Sequence, residues 1–347
     1  MATLPATRGA LFALLAALLF GVSTPLVQRA GVNVGGWMTA ALLYSGAAGA
    51  GVLMRSHSSR EAALQRQHWP RIMLMALCGA VAGPAALAWG LQHTSGTSAS
   101  LMLTLEAVFT VLLSFVLYRE QIGRRVGLAV ALLTLGGALL LFDRAGTGTT
   151  EVVGLLAVML ATVAWGADNT LSRTLADLDP GRVVLGKAFI GAACSLLLAA
   201  ATGQMLWSWT AGLSLFMIGA IGYGLSLRFY LLAQRAFGAA RTGSVFAAAP
   251  FIGAALAFGL GERSFSLWLV GGAALMVAGV VLHLIEQHEH AHQHDSVEHE
   301  HAHTHDDGHH LHAHATPVIG AHSHRHVHEA TRHSHPHTPD LHHAHIH

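Results

Sequence analysis

The stretch Leu103 to Leu141, LTLEAVFTVLLSFVLYREQIGRRVGLAVALLTLGGALLL, decides how this chain is read. Two apolar runs flank a short charged segment, from Arg119 and Glu120 to Arg124 and Arg125, and neither run alternates polar with apolar as a half-buried strand would. A helix needs about 20 such residues to cross a hydrocarbon core of about 30 Å. Backbone polar groups in lipid must be satisfied within their own segment, so runs this long and unalternating are helices. A β-barrel would need the alternation that is absent. The same design returns in Gly238 to Leu282, GAARTGSVFAAAPFIGAALAFGLGERSFSLWLVGGAALMVAGVVL, where Glu262 again closes one apolar run and a glycine-rich run follows.

Working outward, 53% of the 347 residues are hydrophobic and 11% charged, against about a quarter charged in an ordinary soluble protein. Apolar runs recur from Ala10 to Leu284. Ten transmembrane helices are expected, at 10–29, 35–54, 71–92, 97–118, 124–142, 153–173, 182–201, 211–234, 239–260 and 265–285. The expected fold is an all-α integral membrane protein followed by a polar tail. Cys78 and Cys194 each lie inside an apolar run and are read as packing residues rather than a disulfide framework or a thiolate site. There is no GxxxxGK[ST] run, hence no sign of an ATP-driven engine.

Arginine and lysine in short loops orient such helices. One side carries Arg8; Arg55, Arg60, Arg66 and Arg71; Arg119, Arg124 and Arg125; Arg173, Arg182 and Lys187; Arg235 and Arg241, whereas the other carries Arg29, Arg144 and Arg263. Thirteen against three puts both termini in the cytoplasm, with the body multi-pass in the cell (inner) membrane. The first run, preceded by Arg8, resembles a signal peptide, but it has a counterpart later in the chain and is read as retained.

That counterpart belongs to an internal repeat. A shift of 142 residues superposes Gly96 on Gly238, Phe109 on Phe251, Glu120 on Glu262 and Gly137 on Gly279; a shift of 145 brings Phe20-Gly21 onto Trp165-Gly166. Five helices per half is an odd number, so the second half enters the membrane with the opposite orientation. Inverted repeats suit alternating access around a central site.

The two quoted stretches resemble the end of an EamA-type repeat of the drug/metabolite transporter superfamily, by the acidic residue closing the fourth helix of each half and the glycine-rich helix after it. The resemblance covers about residues 10–284. It implies five-helix repeats at 10–143 and 152–285, to which charge and composition add a cytoplasmic segment at 1–9 and a His-rich cytoplasmic tail at 286–347. It further implies a central cavity and secondary transport, often export, of metabolites such as amino acids. One departure stands out. Many relatives carry proline where the first half offers Glu106 or Val108, while the second half keeps Pro250. A generic helix kink is therefore less expected in the first half and a functional carboxylate more so.

A charge at the centre of a membrane helix costs about 2.5 to 3.5 kcal/mol on insertion scales, so residues bearing that cost usually face protein or a water-filled cavity. Glu106, Asp168 and Arg228 stand out. Their depths allow them to meet, with Asp168 and Arg228 as a substrate-contacting pair and Glu106 as a proton-exchanging or cation-binding group. Bland readings compete: Arg228 reaching the cytoplasmic surface by its long stem, and Asp168 bonding Asn169 or a backbone amide. Trp165, Asn169, Tyr223 and Gln92 are further candidates to line a cavity, with packing roles as the alternative for the aromatics. Glu120 and Glu262 are read as fixing helix ends.

The tail holds 23 of the 27 histidines. They cluster as His288, His290, His292 and His294; His299, His301, His303 and His305; His309, His310, His312 and His314; His322, His324, His326 and His328; then His333, His335 and His337, and on to His347. Interleaved with Asp and Glu and short of apolar residues, the segment cannot build a core and is expected to be disordered when free. Neutral imidazole is a good ligand for Zn, Ni, Cu and Co, so the array offers divalent transition-metal sites. A sensor, a buffer and a neutral extension remain as readings of that chemistry. The expected partners are the lipid bilayer, a small-molecule substrate and protons, with no nucleic acid and no required cofactor. The leading function is a secondary carrier of small organic solutes. Export of a divalent metal (Ni, Co, Zn) or metal chelate under control of the tail is the alternative, and a membrane enzyme a weaker third.

Overall fold

A computed structural model describes residues 4–54, 64–118, 122–146, 148–172, 175, 178–205, 207–237, 239–262 and 266–284, and in the tail the backbones of 288–293, 297–303, 322–328 and 332–337. The helices are α1 (Leu4–Ala30), α2 (Gly36–Leu53), α3 (Trp69–Ala76), α4 (Gly83–Leu91), α5 (Gly96–Met102), α6 (Leu105–Tyr118), α7 (Arg124–Ala145), α8 (Thr149–Ser172), α9 (Pro180–Ala201), α10 (Trp209–Ile218), α11 (Ser226–Phe237), α12 (Ala239–Phe246), α13 (Ala249–Gly259) and α14 (Leu267–Leu284). Their starts follow local sequence. The Ser95 hydroxyl accepts from Ser98 N at 3.1 Å, that of Ser208 from Ala211 N at 3.2 Å, and Asp179 Oδ1 from Gly181 N at 2.9 Å ahead of a proline in the first turn of α9.

Helix occupies all ten stretches marked in the sequence. Among the described residues seven helical segments are long and apolar enough to cross a membrane: Arg8–Ala30, Arg66–Leu91, Gly96–Tyr118, Arg124–Ala145, Thr149–Ser172, Gly181–Ala201 and Trp209–Gln234. The other three stretches are helical but fall outside that count among the described residues. In α2, Gly46, Gly49 and Gly51 with Tyr44 and Ser45 dilute the apolar run. The ninth stretch is cut in two, and the tenth is described over Leu267–Leu284, with residues on both flanks outside the described residues.

Four helices are interrupted, in two matching ways. A π-helical stretch, Leu77–Ala82, joins α3 to α4, and another, Gly219–Leu225, joins α10 to α11. Leu103 and Thr104 break α5 from α6, and Ala247 and Ala248 break α12 from α13. Pro250, in the first turn of α13, fits the second break. At the first, where the lack of proline made a kink less expected, the helix breaks all the same. The Thr104 amide and hydroxyl both donate to Leu101 O, at 3.0 and 2.8 Å, and Glu106 N reaches Leu103 O at 3.1 Å. These bonds span three residues and tighten the turn as in a 3₁₀-helix. Each π stretch and each break lies at a corresponding position of the two halves.

Packing crosses between the halves. Helix α2 lies against α9, with Gly51 beside Leu185 and Tyr44 beside Gly191, and α7 lies against α14, with Gly136 beside Gly272 and Ala129 beside Gly279. Residue numbers rise along one helix as they fall along its neighbour, so both pairs are antiparallel. Small residues permit the contact where lipid offers little net hydrophobic drive. A Cβ on Gly46 would fall 1.9 Å from Phe216 O, and one on Gly191 would fall 2.5 Å from the Ala80 Cβ. Leu43, Leu87, Met102, Leu140, Leu155 and Leu215 fill the centre, and Ile72, Met75, Val183, Val184 and Leu231 form a smaller cluster.

In the tail, the backbone of His288–Gln293 pairs antiparallel with Arg332–His337, and that of Val297–His303 with His322–His328. Alternation of histidine with other residues has the period of a strand, but a two-stranded ribbon alone is at best marginally stable in water.

Candidate functional site

The two kinds of interruption meet at one cavity. Glu106 stands in the first turn of α6, directly after the break, and accepts a hydrogen bond on Oε1 from Asn169 Nδ2 of α8. Next to Asn169, Asp168 is ion-paired through Oδ2 with Lys187 Nζ of α9, both side chains buried. The π stretch Leu77–Ala82 holds lining side chains from behind. Gly79 O accepts from the Tyr44 hydroxyl at 2.6 Å and from Trp165 Nε1 at 3.0 Å. A Cβ on Gly79 would lie 2.2 Å from Asp168 Oδ2, so this position admits the carboxylate because it is glycine.

Aromatic rings complete the wall. Phe20 contacts Trp165, Tyr223 and Phe246 at centroid distances of 5.5, 5.7 and 5.4 Å; Tyr44 meets Tyr223 at 5.6 Å and Tyr230 meets Phe246 at 5.0 Å. Tyr223 is presented by the second π stretch, whose Gly222 packs onto Ser23 so closely that a Cβ would come within 2.5 Å. Gly222, Ser226 and Leu227 also line the space. Traced by the centre of a water molecule, the cavity measures about 70 Å³, room for about five waters. An organic solute would require it to widen.

The far ends of these helices, where Gly154 of α8 packs against His93, are tied by a polar belt. Glu262, following α13, accepts from Gly96 N at 3.0 Å, Thr97 N at 2.9 Å and Thr97 Oγ1 at 3.2 Å. Gln28 Nε2 donates to Leu91 O and Thr94 O at 3.1 and 3.2 Å, and Arg29 donates to Leu260 O. Glu262 thus fixes a helix end, as its place in the sequence suggests; Glu120 lies outside the described residues. At the junction of the halves, buried Arg144 bonds Asp143 and Glu151 at 3.2 and 3.1 Å.

The EamA-like transporter family matches this chain twice, over residues 7–142 and 152–285. The chain belongs to that family. As an EamA-like transporter with several membrane-length apolar helices it is a multi-pass membrane protein. It is 28% identical over 235 residues to an uncharacterized transporter of Methanothermobacter thermautotrophicus, covering 64% of this chain and 66% of that one. With an uncharacterized transporter of Clostridium kluyveri it shares 23% identity over 227 residues, 60% of this chain and 70% of the other. A crystal structure titled only as that of a protein superposes with a TM-score of 0.60 at 23% identity, covering 79% of this chain and 94% of its own, a likeness of fold.

Of the residues singled out in this EamA-like chain, Glu106, Asp168, Asn169, Trp165 and Tyr223 line one cavity. Two do not. Arg228 is not the partner of Asp168: its Nη1 donates to Met54 O at 2.8 Å, at the end of α2. Gln92 is part of the polar belt, donating to Gln28 O at 3.1 Å. The residue that pairs with Asp168 is Lys187, which the sequence groups with the loop cations. Its position seven residues past Pro180 was the available signal: two turns of helix place it about 10 Å from the helix start. Among the described residues no three of His, Cys, Asp or Glu converge to hold a metal ion. The side chains of the tail histidines, His288 to His347, lie outside the described residues.

Proposed function

We propose that this EamA-like protein is a secondary active carrier of small organic solutes, of about the size of amino acids, that moves them out of the cell in exchange for protons handled by Glu106. The observation that carries the reading is the division of charge in the cavity. Lys187 is committed to Asp168, while Glu106 has the neutral amide of Asn169 as its hydrogen-bond partner. A carboxyl so placed can gain or lose a proton without breaking an ion pair. The groups around it are Asp168, Lys187, Tyr44, Tyr223 and Tyr230.

In this reading the body is ten crossings arranged as two inverted five-helix repeats, in the inner membrane with both termini cytoplasmic. Its support lies in the paired π stretches, the paired helix breaks, the antiparallel contacts of α2 with α9 and α7 with α14, and the doubled family match. Discontinuous helices at corresponding positions of two halves are where carriers build their sites. The ionic groups of the cavity are two carboxylates and an ammonium, a set suited to organic solutes better than to transition metals, which favour imidazole and thiolate. The tail is assigned the separate role of binding divalent metal in the cytoplasm through its HxH clusters.

Liposomes holding the purified protein and a mixture of amino acids and amines test the carrier. Under a pH gradient, wild-type protein should release a subset of solutes, identified by mass spectrometry, and Glu106→Gln should release none of that subset. Equal release by both proteins contradicts the assignment of Glu106.

A further inference from the structure

Resting on the carrier reading, we infer that the cavity selects a protonated amine with an apolar or aromatic body and no carboxylate of its own. Three observations converge. Glu106 and Asp168 face a single cation, Lys187, leaving one formal negative charge in excess among the lining groups. Asp168 Oδ1 is buried, in a residue 5% exposed, with no hydrogen-bond partner among the described residues. Around it stand Phe20, Trp165, Tyr230 and Phe246, whose ring faces attract a cation and pack against an apolar body.

An ammonium group fits what is unfilled. It has three N–H donors and no acceptor, so in the widened cavity one can meet Asp168 Oδ1 while another meets the Glu106 carboxylate. Its charge cancels the excess. An amino acid brings the same ammonium together with a carboxylate, and that carboxylate needs a cation. Lys187 is the cation lining the cavity, and Asp168 already holds it. Taking Lys187 would leave the Asp168 charge buried and unpaired, and would set a third carboxylate beside two others. The site therefore discriminates by repulsion as well as by attraction.

Isothermal titration of the purified full chain with phenethylamine and with phenylalanine tests this, because the two differ by one carboxylate. Phenethylamine should bind at least tenfold more tightly than phenylalanine, and Glu106→Gln should weaken it by tenfold or more while the protein keeps its thermal transition. The comparison on wild-type protein stands even if a variant misfolds. Phenylalanine binding as tightly as phenethylamine, binding of neither, or amine binding indifferent to Glu106→Gln each overturns the inference. The carrier reading is judged apart from it: release of a non-amine solute by wild type but not by Glu106→Gln sinks the amine selectivity and spares the carrier, whereas release of nothing sinks both.

Discussion

Lys187 and Asp168 form a buried ion pair across two helices, α9 and α8, with side-chain exposures of 4% and 8%. Removing one partner of such a pair strands the other charge away from water, at about 3 to 5 kcal/mol, while replacing both costs far less. Lys187→Met should therefore lower the thermal transition of the purified protein steeply, and the double substitution Lys187→Met with Asp168→Asn should recover much of the loss. Arg228→Ala, which removes a bond to the Met54 carbonyl, should cost about 1 kcal/mol. Equal losses from Lys187→Met and Arg228→Ala would contradict the pairing.

Gly79→Ala should be destabilising by about 1 to 3 kcal/mol, as overpacked positions are, because the new methyl would meet Asp168 Oδ2 at 2.2 Å. Gly243 of α12 has open space around the same methyl. Gly243→Ala should be neutral or stabilising by up to about 1 kcal/mol. Thermal unfolding of the two variants side by side checks the contrast.

These residues show where the sequence was legible. Glu106, Asp168 and Asn169, which line one cavity, could be singled out because a polar group inside an apolar run is costly and rare. Arg228 satisfied the same criterion and yet lies off the site. Depth along a helix says nothing of rotation about its axis, and each residue turns the side chain by about 100°, so the facing partner is set by packing. Lys187 was hidden by its nearness to Arg182. The break before Glu106 carries no proline; a threonine hydroxyl bonds back to Leu101 O there, a competition with helix geometry that Thr can enter in many places without effect. The double family match was foreshadowed by Glu120, Glu262 and the glycines, which keep one spacing across the two matched segments.

Glu262 ties the end of α13 to the start of α5 at one end of the bundle. Glu262→Ala should cost about 0.5 to 2 kcal/mol, the range for losing a helix cap, and loosen that end. With Cys78 and Cys194 replaced by serine, a cysteine at Ser226 in the cavity reports the opening. Its labelling by a membrane-impermeant maleimide added on the side of Glu262 should accelerate in Glu262→Ala. Unchanged labelling would remove the belt from the account of gating.

Deleting residues 286–347 should abolish tight Ni or Zn binding by the purified protein and leave solute release from liposomes unaltered. Metal binding is read by equilibrium dialysis of full-length and shortened chains. If release falls with the tail gone, or rises only when metal is supplied to the full chain, the tail governs the body rather than merely binding metal.

Glu106 is proposed as the group that takes up and gives up the proton. Infrared difference spectra of the purified protein, recorded as pH is lowered, report directly on carboxyl protonation. The band of a protonated carboxyl in an apolar setting should grow in wild type and be missing from Glu106→Gln. The same band, undiminished in Glu106→Gln, would place the titrating group elsewhere.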